Sequence, residues 1–458
     1  MKASKYIIVA VVSVMLTGCG IYKKYEMPVE NRYVNELAQA EQQTVDSLSL
    51  PYLGWEQVFT DPILQGYIRK ALEQNTDIDN AVLNVKMAQA QLQGAKLSYF
   101  PAVALSPNGG AAKYGSGNMD TWTYTIPLSV QWEIDVFGKI LNRKRGAKVS
   151  LEQMEEYQAA TRSQVISAVA NVYYSLVLLH QQLDLTERTS VIWKDQVESM
   201  KLMKEAAYVN EAAVVQSAAN YWSIMSSIPD IRQNIHELNN TMALLLHEHY
   251  NDYGVTNSLE FNLPVDPDRG VPMSYLAQRP DVRAAERGLA AAYYNTSSAR
   301  AAFYPSLNIT AQGGFTNLLG SMVQNPGKFF LQLAGQLTAP LFSRGQNIAN
   351  LKVAKLRQQQ AMNNFENTVL SASADVSDAL SKYRNNHEKR EYVLKQIESL
   401  EKSVEYTQEL LSLDQKTTYL EVLTAQSSLL NAQMSSLSCW HNKVSACISL
   451  YQAVGGGC

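Results

Sequence analysis

The chain has 458 residues, of which 46% are hydrophobic and 18% are charged, and its formal net charge is −3. This length allows two or three ordinary domains or one elongated domain. The composition excludes a disordered chain and a bundle of apolar membrane helices, and the charge argues against a protein that binds nucleic acid by neutralising phosphates. The four cysteines show no CxxC spacing, so neither a disulfide framework nor a zinc knuckle is predicted.

Residues 1–18 have the features of an export signal. Two lysines precede an apolar run, Tyr6–Leu16, which is too short to span a bilayer as a helix. The run ends in Leu16-Thr17-Gly18-Cys19, which resembles the bacterial lipobox, where the signal is cut before a cysteine that becomes lipidated. We therefore predict a signal peptide at 1–18, lipidation of Cys19 and a lipidated linker at 19–60. Gly20 is compatible with the outer membrane, whereas an Asp there would favour the inner one.

The segment 121–136 alternates apolar and polar side chains without a break. Its even positions, from Trp122 to Val136, are all apolar, and its odd positions are polar or proline. Period-two alternation of this length predicts a long strand with one apolar and one polar face. Membrane β-strands have this pattern because lipid-facing and lumen-facing residues alternate.

Weaker alternation at 306–312 and 329–341, and the start of a strand at Val103, complete a set of four predicted strands. Glycine- and asparagine-rich segments, including Asn325-Pro326-Gly327, predict turns between them. The strands form two β-hairpins, at about 102–136 and 306–341. A pair of hairpins on a soluble core is the alternative.

Four strands cannot close a barrel. Open strand edges are not tolerated in lipid, and known barrels begin at about eight strands. If the hairpins lie in a membrane, the chain must therefore oligomerise, with two copies giving eight strands or three giving twelve.

The remaining segments have the apolar spacing of coiled coils, about 3.5 residues. Two runs without proline, 138–205 and 344–411, predict helices of ~100 Å at 1.5 Å per residue. Shorter helices are predicted over 61–99, 212–249, 277–302 and 420–453.

The two halves of the chain match each other. Ala95–Pro101 has the same pattern of small and aromatic residues as Ala299–Pro305. We therefore predict an internal two-fold repeat of helix, hairpin, long helix and helix. The predicted segments are a first repeat at 61–249, a connector at 250–276, a second repeat at 277–453 and a tail at 454–458.

The run Arg279-Pro280-Asp281-Val282-Arg283-Ala284-Ala285-Glu286, followed by 299–305, resembles the TolC-like outer membrane factors of tripartite efflux pumps. The similarity is closest to the lipoprotein branch that serves RND-type pumps, and it covers nearly the whole mature chain. The motif residues are Arg279, Pro280, Asp281, Arg283 and Glu286.

This resemblance implies a mixed α and β fold. Three chains, with four strands each, would share a β-barrel that is continued by a coiled-coil α-barrel through the periplasm. The implied function is a passive exit duct for small molecules in the outer membrane. The implied partners are two further copies of the chain, a periplasmic adaptor, an inner-membrane RND-type pump and outer membrane lipid.

Two other functions fit parts of the sequence. One is the exit duct of a type I-like protein secretion system, which the motif at 279–286 disfavours. The other is a structural coiled-coil lipoprotein, which would not need the alternating strand at 121–136. The exported compound, whether a drug, a metal ion or another molecule, stays open.

The resemblance also implies an acidic aperture where the two helical hairpins turn, at 206–213 and 412–419. Glu421 takes the place of a usual Asp, Val214 replaces another, and Thr424 stands where some members have a second Asp. We therefore expect a thinner acidic ring than usual, although Glu421 could also be a solvated residue at a helix start. The candidate aperture residues are Glu421, Thr424, Val214 and Asp414.

Several aromatic side chains lie at the predicted helix–strand junctions and strand ends, where tyrosine, tryptophan and phenylalanine often mark membrane interfaces. Packing in a core is the alternative for each. The junction residues are Tyr99, Phe100, Phe303 and Tyr304, and those of the outer rim are Trp122, Tyr124 and Phe329.

No nucleophile elbow, P-loop or HExxH motif occurs. In His247-Glu248-His249 the two histidines would lie on opposite sides of a helix, so a metal site is not predicted. Cys439 and Cys447 are expected in a packed core, and Cys458 at a loose end. We expect no enzyme activity, no catalytic, cofactor or metal site, and no nucleic-acid partner.

Overall fold

The computed structural model describes residues 22–28, 53–112, 121–261, 264, 274–319, 322–342, 344–413 and 419–457. The predicted mixture of long helices and a small set of strands is confirmed. The helices and strands before the connector are α1 (Trp55–Val58), α2 (Pro62–Gln74), α3 (Thr76–Leu97), β1 (Ala102–Leu105), β2 (Asn108–Ala112), β3 (Thr121–Ile134), α4 (Lys139–Glu205) and α5 (Glu211–Leu245). Those after it are α6 (Ser274–Gln278), α7 (Pro280–Ala301), β4 (Ser306–Leu319), β5 (Met322–Thr338), α8 (Gln346–Leu413) and α9 (Tyr419–Ala453).

The chain divides into two compact units. We call the first the strand unit, because its segments 83–156 and 283–367 contain all the strands described and the helix ends next to them; it also includes residues 22–28. The helical unit contains residues 53–82, 157–282 and 368–457. Each unit thus combines segments from both halves of the chain. None of the described helices has a stretch that is long and apolar enough to cross a membrane.

The strands form one antiparallel sheet in the order β1-β3-β4-β5, and β2 also pairs with β3. The first strand position is therefore occupied by two short strands in succession. Pro107 has no N–H to donate, which interrupts the ladder, while the Ser106 N–H still donates to the Pro127 carbonyl at 3.2 Å. Five strand segments among the described residues thus fill the four predicted positions.

The two hairpins are joined by the pairing of β3 with β4, from Thr125 opposite Thr316 to Ile134 opposite Leu307. Gly314 allows the close approach of these strands. A Cβ atom at this position would lie 2.0 Å from the Ile126 carbonyl oxygen, so a side chain cannot be accommodated there.

The second hairpin differs from the prediction. Asn325-Pro326-Gly327 does not form its turn but lies within β5, which begins at Met322. The pairing shifts between Thr316 opposite Lys328 and Leu318 opposite Val323, so the residues between them on β5 form a bulge. The Gly327 N–H is satisfied there by the hydroxyl of Tyr124 at 3.0 Å.

One helix was predicted over 61–99, but α2 and α3 are separated at Asn75. The Asn75 amide oxygen accepts the Asp77 N–H at 2.9 Å, and its amide N–H donates to the Leu245 carbonyl at 2.9 Å. The buried side chain therefore caps the start of α3 and satisfies a carbonyl at the end of α5. This long-range contact is why the helix breaks here.

The core of the helical unit contains a cluster of aromatic side chains around Tyr173. Its hydroxyl donates to Asp61 at 2.7 Å and accepts the Thr256 N–H at 3.0 Å, and burial raises its pKa. Asp61 also caps α2 by accepting the Ile63 N–H at 2.8 Å. The cluster thus ties residues of the connector to α2 and α4.

The C-terminal residues after α9 are packed rather than loose. Val454–Gly456 are buried, and the Ser163 hydroxyl donates to the Gly456 carbonyl at 2.6 Å. A Cβ atom at Gly456 would lie 2.2 Å from the ring of Tyr451, so only glycine fits. The predicted tail is therefore part of the helical unit through Gly457, and Cys458 lies outside the described residues.

The prediction that Cys439 and Cys447 lie in a packed core is confirmed, since both are buried. Burial raises the pKa of the Cys447 thiol to about 12. This thiol is therefore protonated at neutral pH, and the thiolate that oxidation and metal binding require is absent.

His441, on α9, should make stability depend on pH. Its Nε2 lies 2.9 Å from the Ser175 hydroxyl, and burial lowers its pKa. The unfolded chain therefore binds a proton at His441 more readily than the folded chain does. The contribution of His441 to the free energy of unfolding is fully present above about pH 6.5 and decreases as the pH falls below that value. The melting temperature should decrease from neutral to about pH 5, and His441→Gln should weaken this dependence. An equal effect of His249→Gln, on an exposed histidine, would contradict the assignment.

Candidate functional sites

The exposed face of the sheet is apolar across three strands in register. Leu128 of β3 lies opposite Gly313 of β4, which lies opposite Leu331 of β5. The neighbouring row on this face combines Val130 with Ala311 and Leu333, the last of which is 75% exposed. The remaining rows of this face are Ile126 with Phe315 and Phe329, Trp132 with Ile309 and Gly335, and Ile134 with Leu307 and Leu337.

The opposite face of the sheet carries polar rows in the same register. Ser129 lies opposite Gln312, which lies opposite Gln332. The next row is Gln131 with Thr310 and Ala334, and it is followed by Glu133 with Asn308 and Gln336. One sheet therefore presents an apolar surface on one side and, apart from the row of Pro127, Gly314 and Phe330, a mainly hydrophilic surface on the other. A contiguous exposed apolar patch of this kind is typical of a surface in contact with lipid or protein.

The predicted junction aromatics have two kinds of environment. Phe100 and Phe303 are exposed, whereas Tyr304 stacks on Phe137 with ring centres 5.1 Å apart. Tyr99 lies beneath the ammonium group of Lys144, 5.5 Å from its ring centre. At the other end of the strands, Trp122 and Phe329 are highly exposed, and the hydroxyl of Tyr124 accepts the Gly327 N–H.

Trp132 is a further junction residue that the sequence analysis did not single out. It is partly exposed on the apolar face of β3, and its indole N–H donates to the Tyr99 carbonyl at 2.9 Å. A tryptophan with a satisfied N–H and an exposed ring suits a membrane interface. Its place in the alternating pattern of 121–136 was the available signal.

The first helical turn region, after α4, is compact. The chain reverses over 206–210, with Ala207 at a φ of 60° and the Tyr208 N–H donating to the Met203 carbonyl at 2.9 Å. This is the hydrogen-bond pattern of a Schellman motif, which usually has glycine in the left-handed position. Asn210 then caps α5 by accepting the Ala213 N–H at 3.1 Å.

In the second turn region, Glu421 and Thr424 lie in the first two turns of α9 and are exposed. Because they are three residues apart, they occupy the same side of the helix. The Thr424 hydroxyl donates to the Leu420 carbonyl at 2.7 Å, within its own helix. Asp414 lies outside the described residues.

Val214 is buried in the structure, whereas an aperture residue was predicted to be exposed. Its side chain is only 9% exposed and belongs to a hydrophobic cluster formed by three helices. A carboxylate in this position would be buried among apolar side chains, which is costly without a partner. The other members of the cluster are Trp193 and Met200 of α4 and Tyr419 and Leu423 of α9.

The motif at 279–286 is built around the buried guanidinium of Arg279. It forms a bidentate ion pair with Asp281, with N–O distances of 3.0 and 2.7 Å. It also donates to the Asp375 carboxylate at 3.0 Å. It also donates to the main-chain carbonyls of Ala372 at 3.3 Å and Ala453 at 3.1 Å. One side chain thus connects the start of α7 with α8 and the end of α9.

The rest of the motif lies along α7. Pro280 begins the helix, where a missing N–H costs nothing. Arg283 pairs with Glu156 at 2.7 Å, and burial raises the pKa of Glu156 although Arg283 opposes that shift. Glu286 lies 3.9 Å from Arg287. Asp375, about 95 residues further along the chain, has no local signal that could have linked it to Arg279.

His247-Glu248-His249 lies at the end of α5. His247, at a φ of 54°, terminates the helix, and its Nδ1 lies 3.1 Å from the Thr76 hydroxyl. Glu248 forms an ion pair with Lys70. Among the residues that the structure describes, no group of three or more His, Cys, Asp or Glu is placed to hold a metal ion.

Comparisons with known proteins agree with this geometry. The model of the outer membrane efflux protein family matches residues 67–246 and 271–456. The cation efflux system protein CusC of Escherichia coli is 28% identical over 386 residues, which cover 81% of each chain. The probable outer membrane lipoprotein SilC of Salmonella typhimurium is 28% identical over 334 residues, or 72% of each chain. The open state of the MtrE outer membrane channel of Neisseria gonorrhoeae superposes with a TM-score of 0.81 at 26% identity, covering 95% of this chain and 97% of MtrE.

Proposed function

This chain belongs to the outer membrane efflux protein family, and we infer that it forms the outer-membrane exit duct of a tripartite efflux system. The observation that carries this function is the sheet, whose apolar and polar faces continue in register across both hairpins. Such a sheet separates lipid from an aqueous lumen once it is closed. The apolar face contacts the outer membrane, and the polar face lines the path of the exported molecule.

Closure of the sheet requires further copies of the chain. Within the described residues, β1 with β2 forms one edge of the sheet and β5 the other. Unpaired strand edges in lipid leave backbone groups without hydrogen bonds, so neighbouring copies must pair with them. Three copies give a barrel of twelve strands, and the trimeric architecture that the resemblance implies supports this number.

The oligomeric state is the direct test of this arrangement. The protein extracted in mild detergent should have the mass of three chains, measured by light scattering with correction for bound detergent. A monomeric mass under these conditions would contradict both the shared barrel and the duct.

We assign Cys19 as the lipid anchor and place the helical part of the chain in the periplasm. The description of SilC as a probable outer membrane lipoprotein supports the anchor. A periplasmic adaptor and an inner-membrane RND-type pump complete the system and supply the energy. Family membership supports the presence of such partners, and the motif at 279–286 favours the RND class.

We further propose that Glu421 and Thr424 line the periplasmic aperture. Their shared exposed side near the start of α9 supports this, whereas Val214 contributes to the packing of the tip. Three copies of Glu421 around one axis would attract cations into the constriction.

The Glu421→Gln substitution should reduce the cation preference and the block by divalent cations of the purified channel in a planar lipid bilayer. Removing three converging carboxylates lowers the negative potential at the constriction. Trimer assembly should stay intact, because the side chain is exposed.

Glu237→Gln is the matched control, since Glu237 is an exposed carboxylate on α5 far along the helix from its start at the tip. If Glu237→Gln alters selectivity while Glu421→Gln leaves it unchanged, the aperture lies at other residues.

A further inference from the structure

The strand unit has an uneven distribution of charge beside the sheet. The four helix segments next to the strand ends, 83–99, 136–151, 287–305 and 344–365, contain thirteen Lys and Arg residues and no Asp or Glu, while Asp135, Glu152, Glu286 and Glu366 lie directly beyond their ends. These segments all adjoin the same end of the sheet, because the strands are antiparallel. We call it the basic end of the sheet. The basic residues are Lys86, Lys96, Lys139, Arg143, Lys144, Arg145, Lys148, Arg287, Arg300, Arg344, Lys352, Lys355 and Arg357.

The segment 22–28 forms hydrogen bonds with residues at the basic end of the sheet. The Tyr22 hydroxyl donates to the Val136 carbonyl, and the Tyr22 carbonyl accepts from the guanidinium of Arg145 at 3.1 Å. The Tyr25 N–H donates to the hydroxyl of Tyr294 at 3.2 Å. These contacts hold the segment beside the end of β3 and the start of α4.

The place where segment 22–28 docks indicates which side of the basic end of the sheet faces lipid. Cys19, which lies outside the described residues, precedes Tyr22 by three positions, and three residues of fully extended chain span at most ~11 Å. An acylated cysteine has to be at the surface that meets the membrane. With Cys19 lipidated as proposed, Arg145, which contacts Tyr22, lies near the lipid-facing surface, and Lys144 directly precedes it in α4.

Four cationic side chains lie on the docked segment and near the start of α4. Lys23 and Lys24 are exposed on the docked segment, Lys144 lies over the ring of Tyr99, and Arg145 lies 6.0 Å from the ring centre of Tyr294. Such rings are suited to the headgroup region, because they have apolar faces and one polar end.

One acidic residue near these cations pairs with a member of the cluster itself, and two others have partners outside it. Glu26 pairs with Lys23 at 3.4 Å, and Glu133 pairs with Lys139 at 2.8 Å. Asp135 accepts the Leu141 N–H at 2.7 Å near the start of α4. Lys24, Lys144 and Arg145 have no ion pair within 4.0 Å in the part of the chain that the structure describes.

We propose that Lys23, Lys24, Lys144 and Arg145 bind the phosphate of an anionic phospholipid headgroup in the periplasmic leaflet, beside the lipid on Cys19. This inference rests on the proposed function, because it needs the sheet to lie in the outer membrane. Basic clusters at a membrane surface attract anionic lipids within about a Debye length. The site would hold the duct at a fixed height in the bilayer together with the covalent anchor.

The test uses the full-length lipidated protein, reconstituted in phosphatidylcholine vesicles that contain a small amount of spin-labelled lipid. Electron paramagnetic resonance measures the fraction of labelled lipid immobilised by the protein. Wild-type protein should select labelled phosphatidylglycerol over labelled phosphatidylcholine by about threefold or more. Raising the salt from about 50 mM to about 500 mM should remove most of this selection, because the charges are screened.

Combined Lys23→Gln, Lys24→Gln and Lys144→Gln substitutions should reduce the selection by at least about half, since three of the four cations are lost. The control replaces three exposed lysines of the helical unit, Lys194→Gln, Lys389→Gln and Lys395→Gln, which removes the same charge far along the chain from the strands. This control should select phosphatidylglycerol as the wild type does. A charge-conserving variant with arginine at the three sites should also retain selection, which separates loss of charge from loss of folding.

Immobilisation of both lipids without preference would overturn the headgroup site and leave the duct standing. Immobilisation of neither lipid would contradict the duct itself and the site with it. Inorganic phosphate at constant ionic strength should not compete with the lipid. If it abolishes selection, the cluster is a site for free phosphate, and the proposal is wrong.

Discussion

The Leu128→Arg substitution should destabilise the assembled barrel by about 2–4 kcal/mol per chain, the cost of a charged residue near the middle of a membrane strand. Leu128 is 49% exposed on the apolar face, near the centre of β3, and has no side chain opposite it on Gly313. An arginine there would have to place its guanidinium in the hydrocarbon. The temperature at which the purified trimer dissociates, measured by gel electrophoresis, should fall markedly.

Gln131→Arg tests the assignment of the two faces. Gln131 is exposed on the polar side of the same strand, where a charged side chain would meet water. We expect a change below about 1 kcal/mol. Equal sensitivity at both positions would show that the apolar face does not contact lipid.

Arg279→Met should destabilise the helical unit by about 3 kcal/mol, near the lower end for removing one partner of a buried charge pair. Arg279 is 8% exposed as a residue, and its guanidinium contacts two carboxylates and two main-chain carbonyls. Methionine fills much of the same space but leaves these acceptors without a donor. Asp281 and Asp375 keep part of their solvent access, which limits the loss. Chemical denaturation followed by tryptophan fluorescence measures the change.

Arg283→Met is the matched control within the same motif. Arg283 makes one ion pair, with Glu156, and its side chain is more exposed than that of Arg279. A single partly exposed pair contributes up to about 1 kcal/mol. If Arg283→Met is the more damaging of the two, the network around Arg279 does not hold the unit together.

Features with a regular period could be predicted from the sequence. The alternation of 121–136 and the coiled-coil spacing of the long runs lead to β3, α4 and α8, because period determines which side chains share a face. The proline at each helix–strand junction also has a local effect on the backbone. Such predictions need no knowledge of distant contacts.

Features that depend on distant contacts could not be predicted. The break at Asn75 depends on the Leu245 carbonyl, and the buried position of Arg279 depends on Asp375 and Ala453. The extension of β5 through a proline and a glycine relies on pairing with β4 that tolerates a bulge. For the aperture, the similarity of motifs pointed to Val214, but only the packing of three helices shows that this residue is enclosed.

The connection of Arg279 to the end of α9 has a mechanical consequence. The guanidinium of Arg279 binds the carbonyl of Ala453, which lies 32 residues after Glu421 on α9. The helix between these two residues is about 48 Å long. If the held end serves as a pivot, a tilt of about 5° displaces Glu421 by about 4 Å. With Glu421 at the aperture as proposed above, an adaptor would widen the opening by a rotation that leaves α9 straight and its contact with Arg279 intact.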